Sequence, residues 1–108
     1  MDNLTKEQKI LLCSMYKDFL SRSSELPVEK ANYFNDSDYI QQTYLQDHSS
    51  EYVSDLCWKL KSKDFINCYP GDNLANMISI TDETIIYMEN RFKNGLGDVL
   101  SFILQFKP

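Results

Sequence analysis

Near the N-terminus, apolar residues recur at three- and four-residue spacing, which is the period of a helix with one buried face. These positions are Ile10, Leu11, Leu12, Met15, Tyr16, Phe19 and Leu20. Ahead of them, Thr5 stands three residues before Gln8, which is the spacing of a capping box. The pattern predicts a long amphipathic helix from about Thr5 to Ser21.

Two shorter helices are predicted next, because polar breaks interrupt the helical period. Pro27 suits the first position of a short helix that reaches Tyr33. The polar segment N-D-S at residues 35–37 then supplies a break and a new N-cap. A second short helix is therefore expected from Asp38 to Leu45.

A fourth helix is predicted from Ser50 to Lys63, and Ser49 and Ser50 are suited to cap it. Its expected apolar stripe consists of Tyr52, Val53, Leu56, Cys57 and Leu60. Its expected solvent side consists of Ser54, Asp55, Lys59, Lys61, Ser62 and Lys63. Lysines at the end of a helix are also what the helix dipole favours in any solvated C-terminus.

From Phe65 onward the apolar period changes to two, which is the period of a β-strand. The residues expected on the inner side are Ile66, Cys68, Ile78 and Ile80, and those expected on the outer side are Asn67, Tyr69, Met77 and Ser79. Pro70-Gly71 is a turn signal, since Pro presets the first central dihedral and Gly accepts a positive second one. The pattern predicts a β-hairpin from about Phe65 to Ile80.

Two more helices follow the predicted hairpin. Thr81 is suited to cap the first, which has acidic residues in its first turn, and Gly95 is expected to end it. The last helix, from Asp98 to Lys107 and so about residues 97–107, is apolar nearly all the way round. A terminal helix without a polar face needs a second surface to cover it, so we expect a subunit contact and a homodimer.

Length and composition bound the class of protein. The chain has 108 residues and 43% apolar residues, which suits one domain over residues 1–108, mainly α with a small β-hairpin. It has neither a signal-peptide pattern nor a run of about 18 apolar residues, so we expect a cytoplasmic protein with no membrane partner. Cys13, Cys57 and Cys68 form no C-x-x-C pair and are expected to be buried free thiols.

The sequence offers little for catalysis. The only histidine, His48, lies in a predicted turn with no cysteine at metal-ligand spacing. P-loop, G-x-G-x-x-G and G-x-S-x-G motifs are missing, and the 16 acidic residues are spread along helix faces. We therefore expect no enzyme, no metal site and no cofactor.

The order of the predicted elements is that of a known superfamily. Two helices joined by a tight turn and followed at once by a hairpin form the winged helix-turn-helix order. The stretch from Tyr39 to Asn90 resembles that superfamily, in particular regulators of the MarR and PadR kind. Their second motif helix runs into a segment like L-K-S-K-D-F-I at residues 60–66, and their next helix opens with a segment like I-S-I-T at residues 78–81. Asp64 stands where such families usually have Gly, at a position expected to need a left-handed backbone, which Asp tolerates better than most residues.

The resemblance implies a winged helix-turn-helix fold and a small DNA-binding transcriptional regulator that binds double-stranded DNA as a dimer. It places three serines at the leading end of a recognition helix, three lysines near phosphates and one asparagine at the hairpin tip. In that order they are Ser49, Ser50, Ser54, Lys59, Lys61, Lys63 and Asn73.

Charge raises an alternative to DNA binding, although the usual role of the superfamily places DNA binding first. The formal charge is -5, whereas affinity for phosphate comes mostly from Lys and Arg. Glu51, Asp55 and Asp72 would also repel phosphate. The alternative is a winged-helix protein-interaction module whose acidic, tyrosine-rich surface binds a protein partner. A single positive face formed by the lysines would favour DNA, and scattered lysines would favour a protein.

Overall fold

The computed structural model describes residues 3–106, which are mainly helical with one two-stranded antiparallel hairpin. The helices are α1 (Lys6–Ser23), α2 (Val28–Ala31), α3 (Ser37–Tyr44), α4 (Ser50–Ser62), α5 (Asp82–Arg91) and α6 (Leu96–Leu104), and the strands are β1 (Ile66–Gly71) and β2 (Leu74–Ile80). The predicted mainly α fold with a small hairpin is confirmed at this level.

The helix starts follow the caps expected from the sequence. Thr5 and Gln8 form the capping box of α1: Thr5 Oγ1 accepts from the Gln8 amide at 3.2 Å, and Gln8 Oε1 accepts from the Thr5 amide at 3.0 Å. Asp36 caps α3, and Ser49 caps α4 by accepting from the Tyr52 amide. Each cap satisfies an amide that the first helical turn leaves without a partner.

The hairpin has the predicted extent and inner face, but its turn lies elsewhere. Pro70 and Gly71 belong to β1, where they pair with Ala75 and Leu74. The turn residues are Asp72 and Asn73, with φ of 52° and 65°. The predicted turn at Pro70-Gly71 is wrong because a two-residue hairpin loop of this kind needs positive φ at both central residues, which the proline ring forbids.

A bulge interrupts β2 on the side opposite Cys68. Asn67 pairs with Ser79 and Tyr69 pairs with Asn76, so two residues of β2 stand opposite one residue of β1. One of those two is Met77, whose φ of 52° is rare for a residue with a side chain.

The segment before α3 covers the second edge of β2, a pairing that the sequence analysis did not predict. Tyr33 bridges Ser79, the Phe34 amide donates to the Ile78 carbonyl at 2.8 Å, and the side-chain amide of Asn32 bonds both backbone groups of Ile80. These bonds satisfy backbone groups along the second edge of β2.

The last two helices meet at Gly95. Thr81 caps α5 as predicted, but α5 ends at Arg91, and Gly95, with φ of 73°, is the N-cap of α6. Gly95 therefore begins the final helix and does not end the one before it. The final helix runs from Leu96 to Leu104, so its predicted extension to Lys107, a residue outside the described ones, is wrong.

One apolar core joins these elements. The helix α1 packs against α2 and α6, while α4 packs against α3 and both strands. The largest fully buried side chains of the core include Tyr16, Phe34, Leu60 and Ile66. The inner face of the hairpin packs against α4. The outer face of the hairpin and the outer face of α4 remain free for function.

Candidate functional site

The leading end of α4 is exposed to solvent. Ser49 is exposed and Ser50 is half-buried at the first helical position. The hydroxyl of Ser49 already accepts from the Tyr52 amide at 3.1 Å, so it serves as a helix cap.

Ser54 does not lie on the solvent side of α4. Only 5% of its surface is exposed, and its Oγ accepts a hydrogen bond from the Ala75 amide at 3.1 Å. The prediction that placed Ser54 on the solvent side is wrong, because α4 turns this position toward the hairpin, which sequence spacing does not reveal. Its hydroxyl fastens β2 to α4.

The three lysines predicted to contact phosphates do not form one free cationic face. Lys61 Nζ donates to the carbonyl of Cys68 and lies 5.1 Å from the centre of the Tyr69 ring. Lys63 Nζ donates to the carbonyl of Asn3 at 2.8 Å, ahead of α1. Since positions two apart on a helix differ by about 200°, Lys61 turns away from Lys59. Within residues 3–106, Lys59 alone of the three is exposed with a side chain that makes no hydrogen bond.

Carboxylates accompany Lys59 on the outer face of α4. Glu51 and Asp55 are exposed one turn apart at the leading end of the helix, and Tyr52 beside them is 38% exposed. Neither carboxylate makes an ion pair within the described part of the chain. The hairpin tip has the same character, since exposed Asp72 precedes exposed Asn73.

His48 connects the beginnings of α1 and α4, a role that the sequence analysis did not predict. Its Nε2 lies 2.9 Å from Glu7 Oε2, and its ring stacks on that of Tyr52 with centroids 4.4 Å apart. Burial, together with the hydrogen bond and charge of Glu7, raises the pKa of the Tyr52 phenol. No sequence signal links these positions, because only the fold brings Glu7 beside them.

The outer face of the hairpin forms the floor of a groove of about 970 Å³, which we call the hairpin groove. Its floor consists of Asn67, Tyr69, Met77 and Ser79, and Tyr33 extends it on the far side of β2. Its walls include Val28 and Glu29 of α2, Asp64, and Asp82 and Glu83 of α5. The floor of the groove therefore has large apolar side chains beside small polar ones, and its rim is acidic.

The rim is negative throughout. Its carboxylates are Glu29, Asp64, Asp82 and Glu83, and neither Lys nor Arg lines the groove. None of the four forms an ion pair among residues 3–106. Asp82 and Glu83 lie in the first turn of α5, where the helix dipole favours negative charge.

The sequence analysis predicted part of this groove. It placed Asn67, Tyr69, Met77 and Ser79 on the outer side of the hairpin, and the described structure confirms that placement. The walls come from segments far apart in the sequence. Glu29 and Asp64 join the groove only because α2 and the end of α4 are folded against the same sheet.

The three cysteines are buried and free, as expected. Burial raises the pKa of both Cys13 and Cys57 to about 12. Such thiols hold their protons at neutral pH, so they are poor nucleophiles and poor metal ligands. Within residues 3–106, His, Cys, Asp and Glu side chains form no group of three or more that would hold a metal ion.

None of the helices within residues 3–106 has the length and apolar character to cross a membrane. Comparison of the chain with protein-family models, curated proteins and solved structures found no match.

Proposed function

We propose that this chain is a winged-helix protein-interaction module that binds a basic partner protein through its acidic surfaces. The observation that carries the proposal is the outer face of α4, where Glu51 and Asp55 occupy the leading end and Lys59 is the single unengaged lysine of the predicted three.

The order and pairing of the elements support the winged-helix part of the proposal. Two packed helices, α3 and α4, precede the hairpin directly. The short pairing of residues 33–35 with β2 adds a third row to the hairpin, which suits a wing attached to its helices. Asp64 adopts φ of 65°, the left-handed conformation expected where related wings have Gly.

Charge separates the two functions that this order of elements suggests. DNA binding depends on Lys and Arg that are free to meet phosphates, and each neutralised phosphate contributes to affinity. Here Lys61 and Lys63 are held by backbone carbonyls, and Arg91 lies over the Phe102 ring at 4.9 Å. Scattered cations beside free carboxylates favour a cationic protein over DNA.

Self-association belongs to the same proposal. Leu96, Leu100 and Leu104 follow one another at four-residue spacing on α6, and each is at least 40% exposed. Val99 and Ile103, on the adjoining face of the helix, are buried in the core. A second copy of the same helix would cover this leucine stripe without placing a charge against it.

The test is to compare protein and DNA as partners of the purified chain. The immobilised protein is exposed to native lysate treated with nuclease, and the recovered proteins are identified by mass spectrometry at low and high salt. The proposal expects salt-sensitive recovery of a small set of proteins with high isoelectric points. The control bait carries Glu51→Lys and Asp55→Lys, since reversed charge on α4 reports whether that face contributes.

Binding to mixed genomic DNA fragments is measured in parallel. Salt-sensitive retention of DNA that Lys59→Glu abolishes, and that Lys93→Glu in the exposed turn after α5 leaves intact, would favour a DNA-binding regulator. Recovery of the chain's own copies alone, with no DNA retained, would also contradict a protein-interaction module.

A further inference from the structure

We infer that the hairpin groove is where this chain binds its partner, and that its occupant is an extended, lysine- or arginine-rich segment of that protein. The inference rests on the proposed function and locates its binding site.

Charge complementarity is the first argument. Glu29, Asp64 and Glu83 come from different segments that line one groove, and none has an ion-pair partner among the described residues. A groove with low-dielectric walls and one sign of charge concentrates the field on whatever enters it. An anionic occupant, including a nucleic acid, is repelled by these carboxylates.

The exposed apolar floor is the second argument. Tyr33, Tyr69 and Met77 are 44%, 54% and 58% exposed within the same concave surface. Lysine and arginine bury their aliphatic stems on such surfaces while the charged head reaches a carboxylate, and their cations are attracted to aromatic faces. The ring of Tyr69 already attracts one cation, since Lys61 Nζ lies 5.1 Å from its centre.

The shape of the floor favours an extended segment over a helix. The floor is three rows wide, at Tyr33, Ser79 and Asn67, which corresponds to about 10 Å at the usual strand spacing. A helix with its side chains needs the whole of that width, at about 10–12 Å. An extended chain is narrower than the floor, and its alternate side chains point to opposite faces, so one set of its lysine or arginine side chains can lie on the floor and reach the rim carboxylates.

The partner segment lies across the sheet and does not lengthen it. The second edge of β2 is already covered by residues 33–35. At β1, the Cys68 carbonyl already accepts from Lys61 Nζ, and a lysine at a sheet edge discourages further strand pairing. Recognition is therefore left to side chains on the floor and the rim.

Binding of defined peptides to the full chain tests this inference. The probes are a dye-labelled peptide with lysine at alternate positions, the same peptide with acetylated lysines, the same peptide with glutamates, and duplex DNA with the same dye. Affinity is measured by fluorescence anisotropy at two salt concentrations, and the bound surface by amide chemical-shift changes.

Two variants with equal charge changes locate the site. The groove variant carries Glu29→Gln, Asp64→Asn and Glu83→Gln, in which Asn keeps the tolerance for positive φ at residue 64. The control variant carries Glu25→Gln, Asp47→Asn and Glu89→Gln, three solvent-exposed carboxylates that line neither the groove nor the outer face of α4. Folding of both variants is checked by their amide spectra.

The expected result is binding of the lysine peptide alone, with shifts at Asn67, Tyr69 and Ser79. We expect the groove variant to weaken this binding by about tenfold or more, the combined effect of three exposed ion pairs, and the control variant to change it by less than about threefold. Equal weakening in both variants, or chemical-shift changes confined to α4, would show that the groove is not the binding site. The proposal that the partner is a basic protein would still stand.

Failure of the lysine peptide to bind the folded protein would overturn the inference as well. If the lysate experiment still recovered basic proteins, the proposed function would stand with another surface as its site. Binding of the DNA probe in preference to the lysine peptide would overturn the inference and contradict the proposed function together.

Discussion

At the scale of single residues, two buried serine hydroxyls have opposite environments. Ser54 Oγ accepts from the Ala75 amide, whereas Ser37 is fully buried and its Oγ has no hydrogen-bond partner among the described residues. A buried polar group without a partner costs stability, and one that satisfies a buried amide supports it.

Replacing each serine by alanine should therefore have opposite effects. We expect Ser54→Ala to lower the free energy of unfolding by about 1–3 kcal/mol, because it leaves the Ala75 amide buried without an acceptor. We expect Ser37→Ala to leave it unchanged or to raise it by up to about 1 kcal/mol. Urea unfolding of both variants measures the difference, and each serves as the control for the other. A loss in Ser37→Ala as large as that in Ser54→Ala would contradict this interpretation.

Residue chemistry also explains most of the left-handed backbone. Asn35, Asp64, Asp72 and Asn73 have positive φ, and Asn and Asp tolerate that conformation. The requirement at Asp64 could thus be predicted from the sequence. Met77, with φ of 52°, has no such local reason, and only the bulge in β2 requires it.

At the scale of elements, the Met77 bulge concentrates backbone strain in the hairpin. A left-handed residue with a side chain costs roughly 1–2 kcal/mol, and glycine in a strand costs about 0.5–1 kcal/mol in entropy. Because Met77 is exposed, its side chain loses little packing when removed. We expect Met77→Gly to raise the free energy of unfolding by up to about 1 kcal/mol.

Ser79→Gly, two positions along the same strand, is the matched control for Met77→Gly. Ser79 is not among the residues with positive φ, so glycine there should lower stability by about 0.5–1 kcal/mol. Thermal and urea unfolding compare the two variants. Equal losses in both would mean that Met77 stabilises the hairpin by packing and that its conformation carries little strain. If Met77 contacts the partner, Met77→Gly should also weaken binding of the lysine peptide.

Element boundaries were predictable where cap and period agreed. Thr5, Ser49 and Thr81 each precede an apolar helical period, and each caps its helix. The hairpin turn was not predictable in the same way, because P-G and D-N follow each other directly and both are turn signals. The pairing of the two strands selects between them.

At the scale of the whole molecule, the buried thiols make stability depend on alkaline pH. The pKa of Cys13 and of Cys57 is about 12 in the folded chain, against about 8.5 in the unfolded chain. Below the unfolded value both states hold these protons, and the contribution to stability is fully present. As the pH rises toward 12 the unfolded chain releases protons that the folded chain keeps, so stability is lost.

The free energy of unfolding should therefore fall as the pH rises above about 8.5, with a slope approaching 1.4 kcal/mol per pH unit for each thiol. Burial and the hydrogen bond to Asp18 also raise the pKa of Tyr44, which adds to the loss at still higher pH. Urea unfolding at a series of pH values measures the slope. Cys57→Ala should reduce it by the contribution of one thiol, and an unchanged slope in that variant would contradict the assignment.

The leucine stripe of α6 makes a prediction about the assembly. If Leu96, Leu100 and Leu104 meet a second copy, the mass in solution should be twice that of the 12.7 kDa chain. Leu100→Glu should give a single chain, because an unpaired carboxylate is costly at an apolar contact. Ser101→Glu, which places the same charge at the next and exposed position, should leave the dimer intact. Light scattering across a concentration series distinguishes these outcomes, and a wild-type monomer at every concentration would refute the contact.

The helices, most of their caps, the hairpin and its two faces follow from local sequence, because these depend on residue period and local hydrogen bonding. Tertiary structure alone decided which polar residues remain free. Ser54 is buried because β2 crosses α4, while Lys61 is held by a carbonyl of β1 and Lys63 by a carbonyl ahead of α1. The hairpin groove also depends on tertiary structure. Glu29, Asp64 and Glu83 line one groove only when three separate segments pack around the same sheet. The local pattern of apolar and polar residues predicts helices and strands, whereas the residues that share one surface depend on how those helices and strands pack.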